Sequence, residues 1–127
     1  MSTDHQGNVY LQNDWGVDLS QLTIRHRRSN DPKLQEEQSY QLVAAGEKVG
    51  PMPITYTTGA GSPFDYWWVK FVTQNGSTFD CKDNFYCSIS SDDDGNVTLR
   101  IDGSDTNMYV EFSSSSGCTV DIDEVSG

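Results

Sequence analysis

The sequence predicts an all-β fold, an antiparallel immunoglobulin-like β-sandwich of eight or nine short strands. Three observations lead there. Alternation of apolar and polar residues with period two recurs along most of the chain, as in strands with one buried face. Turn clusters rich in Gly, Asn, Asp and Ser interrupt it at intervals of about 8–12 residues, the spacing of short strands in a sandwich. The one stretch of helical composition, SNDPKLQEEQ, has no apolar stripe.

Each element follows from these patterns. Val9 and Leu11 alternate with polar neighbours before the turn NDWG. In LTIRHRR, Leu22, Ile24 and His26 share one face and Thr23, Arg25 and Arg27 the other. SNDPKLQEEQ supports no more than a helical turn before YQLVA and a Gly-rich turn. Met52, Ile54 and Tyr56 then alternate with Pro53, Thr55 and Thr57. The loop TTGAGSPF leads into DYWWVKF, whose strand reaches Asn75-Gly76, a two-residue hairpin signal.

The second half is more regular. STFDC, FYCSIS, NVTLRID, NMYVEF and CTVDID are separated by KDN, SDDDG, GSDT and SSSSG. Their inward sets read Phe79 and Cys81; Phe85, Cys87 and Ile89; Val97, Leu99 and Ile101; Met108, Val110 and Phe112; and Cys118, Val120 and Ile122. With no repeat and no long linker, residues 1–127 read as one domain with its core at about 7–123.

The net charge is −11, unevenly spread. Residues 1–79 hold eight acids and six bases, and residues 80–127 eleven acids and two bases. Such a surface repels phosphate backbones, which argues against a nucleic-acid partner. No charged segment followed by an apolar one is visible, so a cytoplasmic protein and one secreted after trimming both fit. Asn75-Gly-Ser77 and Asn96-Val-Thr98 match the glycosylation sequon.

Catalytic motifs are scarce. The histidines are His5, near a terminus, and His26, and there is no G-x-S-x-G, P-loop or G-x-G-x-x-G. The expectation is a protein that is not an enzyme. Cys81, Cys87 and Cys118 lack zinc spacing. Cys87–Cys118, Cys81–Cys87 and three reduced thiols all remain open. Asp92, Asp93 and Asp94 crowd an acidic turn whose oxygens suit calcium, and equally a solubilising Asp-Gly turn. Arg25, His26, Arg27 and Arg28 form the one basic cluster, fitted either to an anionic group or to aspartates of a neighbouring strand.

DYWWVKF is the most informative stretch. Period two sends Trp67, Val69 and Phe71 to a core and Tyr66, Trp68 and Lys70 to the opposite face. Trp15 and Tyr56 are candidate neighbours of that outward row. Exposed aromatics with polar tips suit stacking on sugars or contact with a membrane interface. The same row also suits a packed segment or a homo-oligomer contact.

The strings NDWGVDLSQLTIRHR, DYWWVKF and CKDNFYCSISSDDDGNVTLRIDG together resemble a family of small β-sandwich proteins named for upregulation in insulin-receptor-deficient nematodes, with fungal and bacterial relatives. The resemblance spans about residues 7–123 and rests on D-Y-W-x-V and on F-Y-C-x-[ILS] leading into the acidic turn. It implies a compact sandwich and supplies no catalytic residues; members often look secreted. In architecture alone the chain is also similar to lipid-binding fungal aegerolysins. The expectation is a non-enzymatic module, of a kind used in defence or as a toxin, that binds a glycan or lipid headgroup, with peripheral membrane contact. Tyr66, Trp68, Lys70, Trp15, Tyr56, Arg25 and Arg27 would line the site. The alternative is a self-associating or protein-interaction domain, calcium-stabilised through Asp92, Asp93 and Asp94.

Overall fold

The computed structural model describes residues 2–29 and 31–125 and is all-β. Among these residues nine strands follow in chain order: β1 (Ser2–Asp14), β2 (Leu19–Arg28), β3 (Gln35–Val43), β4 (Lys48–Gly59), β5 (Asp65–Thr73), β6 (Thr78–Cys81), β7 (Asn96–Asp102), β8 (Asn107–Glu111) and β9 (Cys118–Glu124). A single 3-10 turn, Pro32–Leu34, is all the helix that SNDPKLQEEQ forms; the Asp31 carboxylate caps it by accepting from the Lys33 amide.

The strands form one nearly closed mixed sheet, a barrel-like arrangement in the order β3-β2-β5-β6-β9-β8-β7-β1-β4. This differs from two separate antiparallel sheets in two respects. β9 changes partner midway, pairing Cys118–Asp121 with β8 and Ile122–Glu124 with β6, and so joins β3-β2-β5-β6 to β8-β7-β1-β4 in one ladder. β1 runs parallel to β7, from Asn8 opposite Asn96 to Asp14 opposite Asp102. Alternation reports which face is buried. It carries no information on which neighbour a strand takes or in which direction.

β3 and β4 flank the remaining seam although they are consecutive and joined by a tight turn, in which the Glu47 amide donates to Ala44 O at 3.0 Å. Pro53 and a bulge explain the seam. The Thr55 amide points across it and donates to Glu36 Oε2 of β3 at 3.0 Å. Amides two residues apart point to the same edge of a regular strand, so Pro53 occupies the position that would feed the next rung and has no N–H. Beyond it the register of β4 is broken by a bulge at Gly50 and Pro51. The ladder toward β3 is cut off, and a glutamate side chain spans the gap.

Inside, Val9, Leu11, Leu22, Ile24, Trp67, Val69, Phe71, Leu99, Ile101, Met108 and Val110 belong to one buried core. Trp15 closes one end, its ring edge-on to Phe71 at 4.9 Å and tilted against Phe79 at 5.0 Å. Cys87 and Cys118 are disulfide-bonded, with Cα atoms 6.1 Å apart. Cys81 is free and buried, and burial pushes its thiol up to about 11.

FYCSIS alternates as a strand would, with Phe85, Cys87 and Ile89 buried, yet forms no strand. One bridge, Tyr66 to Tyr86, ties it to β5. The remaining ties are irregular: Trp67 Nε1 donates to Cys87 O at 2.8 Å, and the Ile89 amide donates to the Asp65 carboxylate at 2.9 Å. A side-chain acceptor stands where a ladder would use a carbonyl.

Candidate functional site

β5 presents Tyr66, Trp68 and Lys70 on its outer face. Trp68 is half-buried because β2 places Arg25 opposite it, with the guanidinium 4.6 Å from the indole centroid. Arg25 is itself buried and holds Asp83 at 2.5 Å; Arg27, opposite Tyr66, donates to Gln35 Oε1 at 2.8 Å and lies 3.9 Å from Asp83. The basic strip is therefore charge-matched by the turn after β6, within its own molecule. Trp68 offers less open ring than its phase alone implied.

The most exposed rings lie next to it. Phe64, one step beyond β5 in the phase of Tyr66 and Trp68, is 53% exposed, and Tyr86 is 55% exposed. Their rings stack at 5.0 Å with planes 12° apart, and Tyr86 also lies 5.9 Å from Tyr66. Phe64, Tyr86 and Tyr66 thus make an aromatic platform of successive ring contacts, and Trp68 follows Tyr66 on the same face of β5 with Arg25 over its ring. Both missed residues were signalled in the sequence: Phe64 by its phase, and Tyr86 by facing opposite to Phe85 and Cys87.

Trp15 and Tyr56 do not belong to this surface, which corrects the sequence reading. Trp15 packs on the core phenylalanines. Tyr56 is buried and stacked on His5 at 5.1 Å, because its phase in β4 matches Met52 and Ile54. The acidic turn is also specialised. Asp93 Oδ1 accepts the amides of Ser114 and Ser115, each at 2.8 Å. Its Oδ2 accepts the Ser90 amide at 2.9 Å and the Ser115 hydroxyl at 2.5 Å. Burial opposes the charge, but these donors hold the carboxyl down to about 2. Asp94 caps the Asn96 amide at 2.9 Å, and Asp92 is exposed. Among the described residues no group of three or more His, Cys, Asp or Glu side chains is arranged to hold a metal ion.

Directly behind the platform sits an ionic chain the sequence reading passed over. His26 is fully buried, with Nδ1 2.7 Å from Glu36 Oε1 and Nε2 2.7 Å from Asp65 Oδ1. Burial lowers the imidazole pKa, but the hydrogen bonds and charges of Asp65 and Glu36 outweigh it and hold the pKa above the usual value. The signal was present: both His26 and Asp65 stand in the apolar phase of their strands, where an ionisable group requires a partner.

The chain matches no model of a known protein family, and no curated protein is significantly similar to it in sequence.

Proposed function

We propose that this protein is a non-catalytic binding module that recognises a glycan by ring stacking on the platform of Phe64, Tyr66, Tyr86 and Trp68. One observation carries the reading. Two stacked aromatic residues, each more than half exposed, lie against Tyr66, with Trp68 next on the same face of β5, forming an apolar surface with polar tips. Sugar C–H faces pack on such rings while Tyr hydroxyls, Lys70 and Gln35 supply hydrogen bonds to hydroxyl groups. The resemblance to the small β-sandwich family supports a compact module of this kind, and we read the nearly closed sheet as a sandwich-like architecture joined at β9. The net charge of −11 disfavours an anionic bilayer as the first partner.

Affinity electrophoresis through gels containing neutral or acidic polysaccharides tests the reading. Retardation is expected for the wild type. Phe64→Ala with Tyr86→Ala should weaken it about tenfold, from about 0.5–1.5 kcal/mol for each stacked ring, with little change in Tm. No retardation on any polysaccharide overturns the glycan reading. In that event, co-sedimentation with phosphatidylcholine vesicles points to a lipid headgroup, and concentration-dependent sedimentation of the protein alone points to self-association.

A further inference from the structure

We propose that His26, Asp65 and Glu36 form a proton-dependent clasp, shut while the imidazole is charged, that holds together the β3–β4 seam and the segment bearing Tyr86. The clasp does not depend on the glycan reading, because it is observable on the protein alone.

With both carboxylates ionised, the geometry calls for two donors from one ring. A neutral imidazole has a single N–H, whereas an imidazolium has two. Both ring nitrogens of His26 lie 2.7 Å from carboxylate oxygens, so the charged form satisfies both partners at once. Each carboxylate spends its other oxygen on a distant backbone amide. Glu36 Oε2 takes the Thr55 amide of β4 at 3.0 Å, and Asp65 Oδ2 takes the Ile89 amide at 2.9 Å. A chain of hydrogen bonds therefore runs Thr55–Glu36–His26–Asp65–Ile89. It crosses the seam where Pro53 supplies no rung and ends at Ile89, in the irregular segment that also carries Tyr86.

The surroundings favour the charged state. Glu36 from β3 and Asp65 from β5 face the ring directly, and Trp67 packs against it at 4.7 Å. From β4, Tyr56 lies within the field of Asp65 and also of Asp93 and Asp94. On His26's own strand, Arg28 is turned to Thr57 Oγ1 at 3.5 Å and to Asp4 of β1 at 4.0 Å, and His5 of β1 lies beyond the Tyr56 ring. Removing the proton leaves an acceptor nitrogen facing a carboxylate in the core, with one hydrogen bond lost. The structure relieves this by letting go at Glu36, which opens the seam, or at Asp65, whose carboxylate then turns and loosens its hold on the Ile89 amide. Tyr86 stays tied by the Trp67 amide to Phe85 O and the Cys87 amide to Asp65 O, each at 2.9 Å. Because the folded imidazole binds its proton more tightly than the unfolded one, the clasp contributes fully below about 6.5, the unfolded value, and is lost as pH rises through the higher folded value.

Nitrogen NMR of the imidazole and amide exchange, corrected for intrinsic rates, test this together. At about pH 6, below the usual histidine pKa, both ring nitrogens of His26 should carry protons. Above the transition, protection of the Thr55 and Ile89 amides should fall together by up to about tenfold per pH unit, while Leu99 and Val110 stay protected. His26→Gln should show low protection at both amides at every pH. Should that variant not fold, Glu36→Gln keeps an acceptor for Thr55 but removes one charge, and should move the His26 transition to lower pH. A neutral imidazole below its usual pKa, flat protection at Thr55 and Ile89, or an equal loss throughout the barrel would each overturn the clasp.

Discussion

Two adjacent tryptophans occupy opposite environments, and their substitution should separate them. Trp67 is fully buried and donates to Cys87 O, so Trp67→Ala should cost about 3–5 kcal/mol. Trp68 is half-buried beneath Arg25, and its loss should cost about 1–2 kcal/mol, because less apolar area leaves water when it folds. Urea unfolding of both variants checks the difference; equal costs would contradict the assignment of faces. Asp93 offers a second residue-scale test. In Asp93→Asn an amide N–H₂ or a lost acceptor must face the Ser90 and Ser115 donors, costing about 1–3 kcal/mol at neutral pH. Millimolar calcium should leave the Tm of the wild type unchanged, since the four donors already occupy that carboxylate.

At the scale of elements, the disulfide and Pro53 each control one connection. Cys87–Cys118 closes a loop with a separation of 31 residues, and its removal should cost about 3–4 kcal/mol by the loop-entropy argument. Cys118→Ser measured by urea unfolding checks the cost, and a two-proton mass gain on reduction of the wild type checks the single bridge. Replacing Pro53 by Thr restores an N–H on the seam edge of β4, and an amide at position 53 protected from exchange is the expected outcome. An amide exchanging as fast as those in exposed turns would show that the strands are splayed too far to pair, whatever the side chain. The strands themselves were legible: LTIRHRR, DYWWVKF, NVTLRID and CTVDID lie on β2, β5, β7 and β9, and NMYVEF covers β8 with Phe112 one step beyond its end. FYCSIS was not, because a segment held by the Asp65 carboxylate and an indole shows the same in–out burial as a paired strand.

For the molecule as a whole, charge and pH set the conditions of stability. Asp93 has its carboxyl held at about 2 against an ordinary 3.8, so its contribution is present above the ordinary value and lost as acid takes pH down through about 2. His26 acts on the opposite limb, losing its contribution in alkali. Thermal melts across pH should accordingly fall away on both sides, with Asp93→Asn lowering Tm at neutral pH and flattening the acid limb while the alkaline limb keeps its midpoint. Self-repulsion of a net charge of −11 adds a salt dependence. It includes the like-charge pair of Asp80 opposite Asp123 across β6 and β9. Raising NaCl from low concentration to about 0.15 M should therefore raise Tm, as the Debye length contracts to about 8 Å.

By itself the sequence determined the all-β class, most of the strands and the inward sets of those that alternate, because period-two burial is a local property of the chain. β3, whose QEEQ start read as part of a possible helical turn, was not among them. The outward phase of Tyr66, Trp68 and Lys70 was equally local. Tertiary structure alone decided the rest. Closure into one sheet depends on β9 serving two partners and on β1 lying parallel to β7, choices made between residues far apart. The exposure of Phe64 and Tyr86, and the shielding of Trp68, follow from which segments pack against β5. His26 shows the same division most plainly. Its phase marked it as buried, but only the fold brought a carboxylate to each side of its ring.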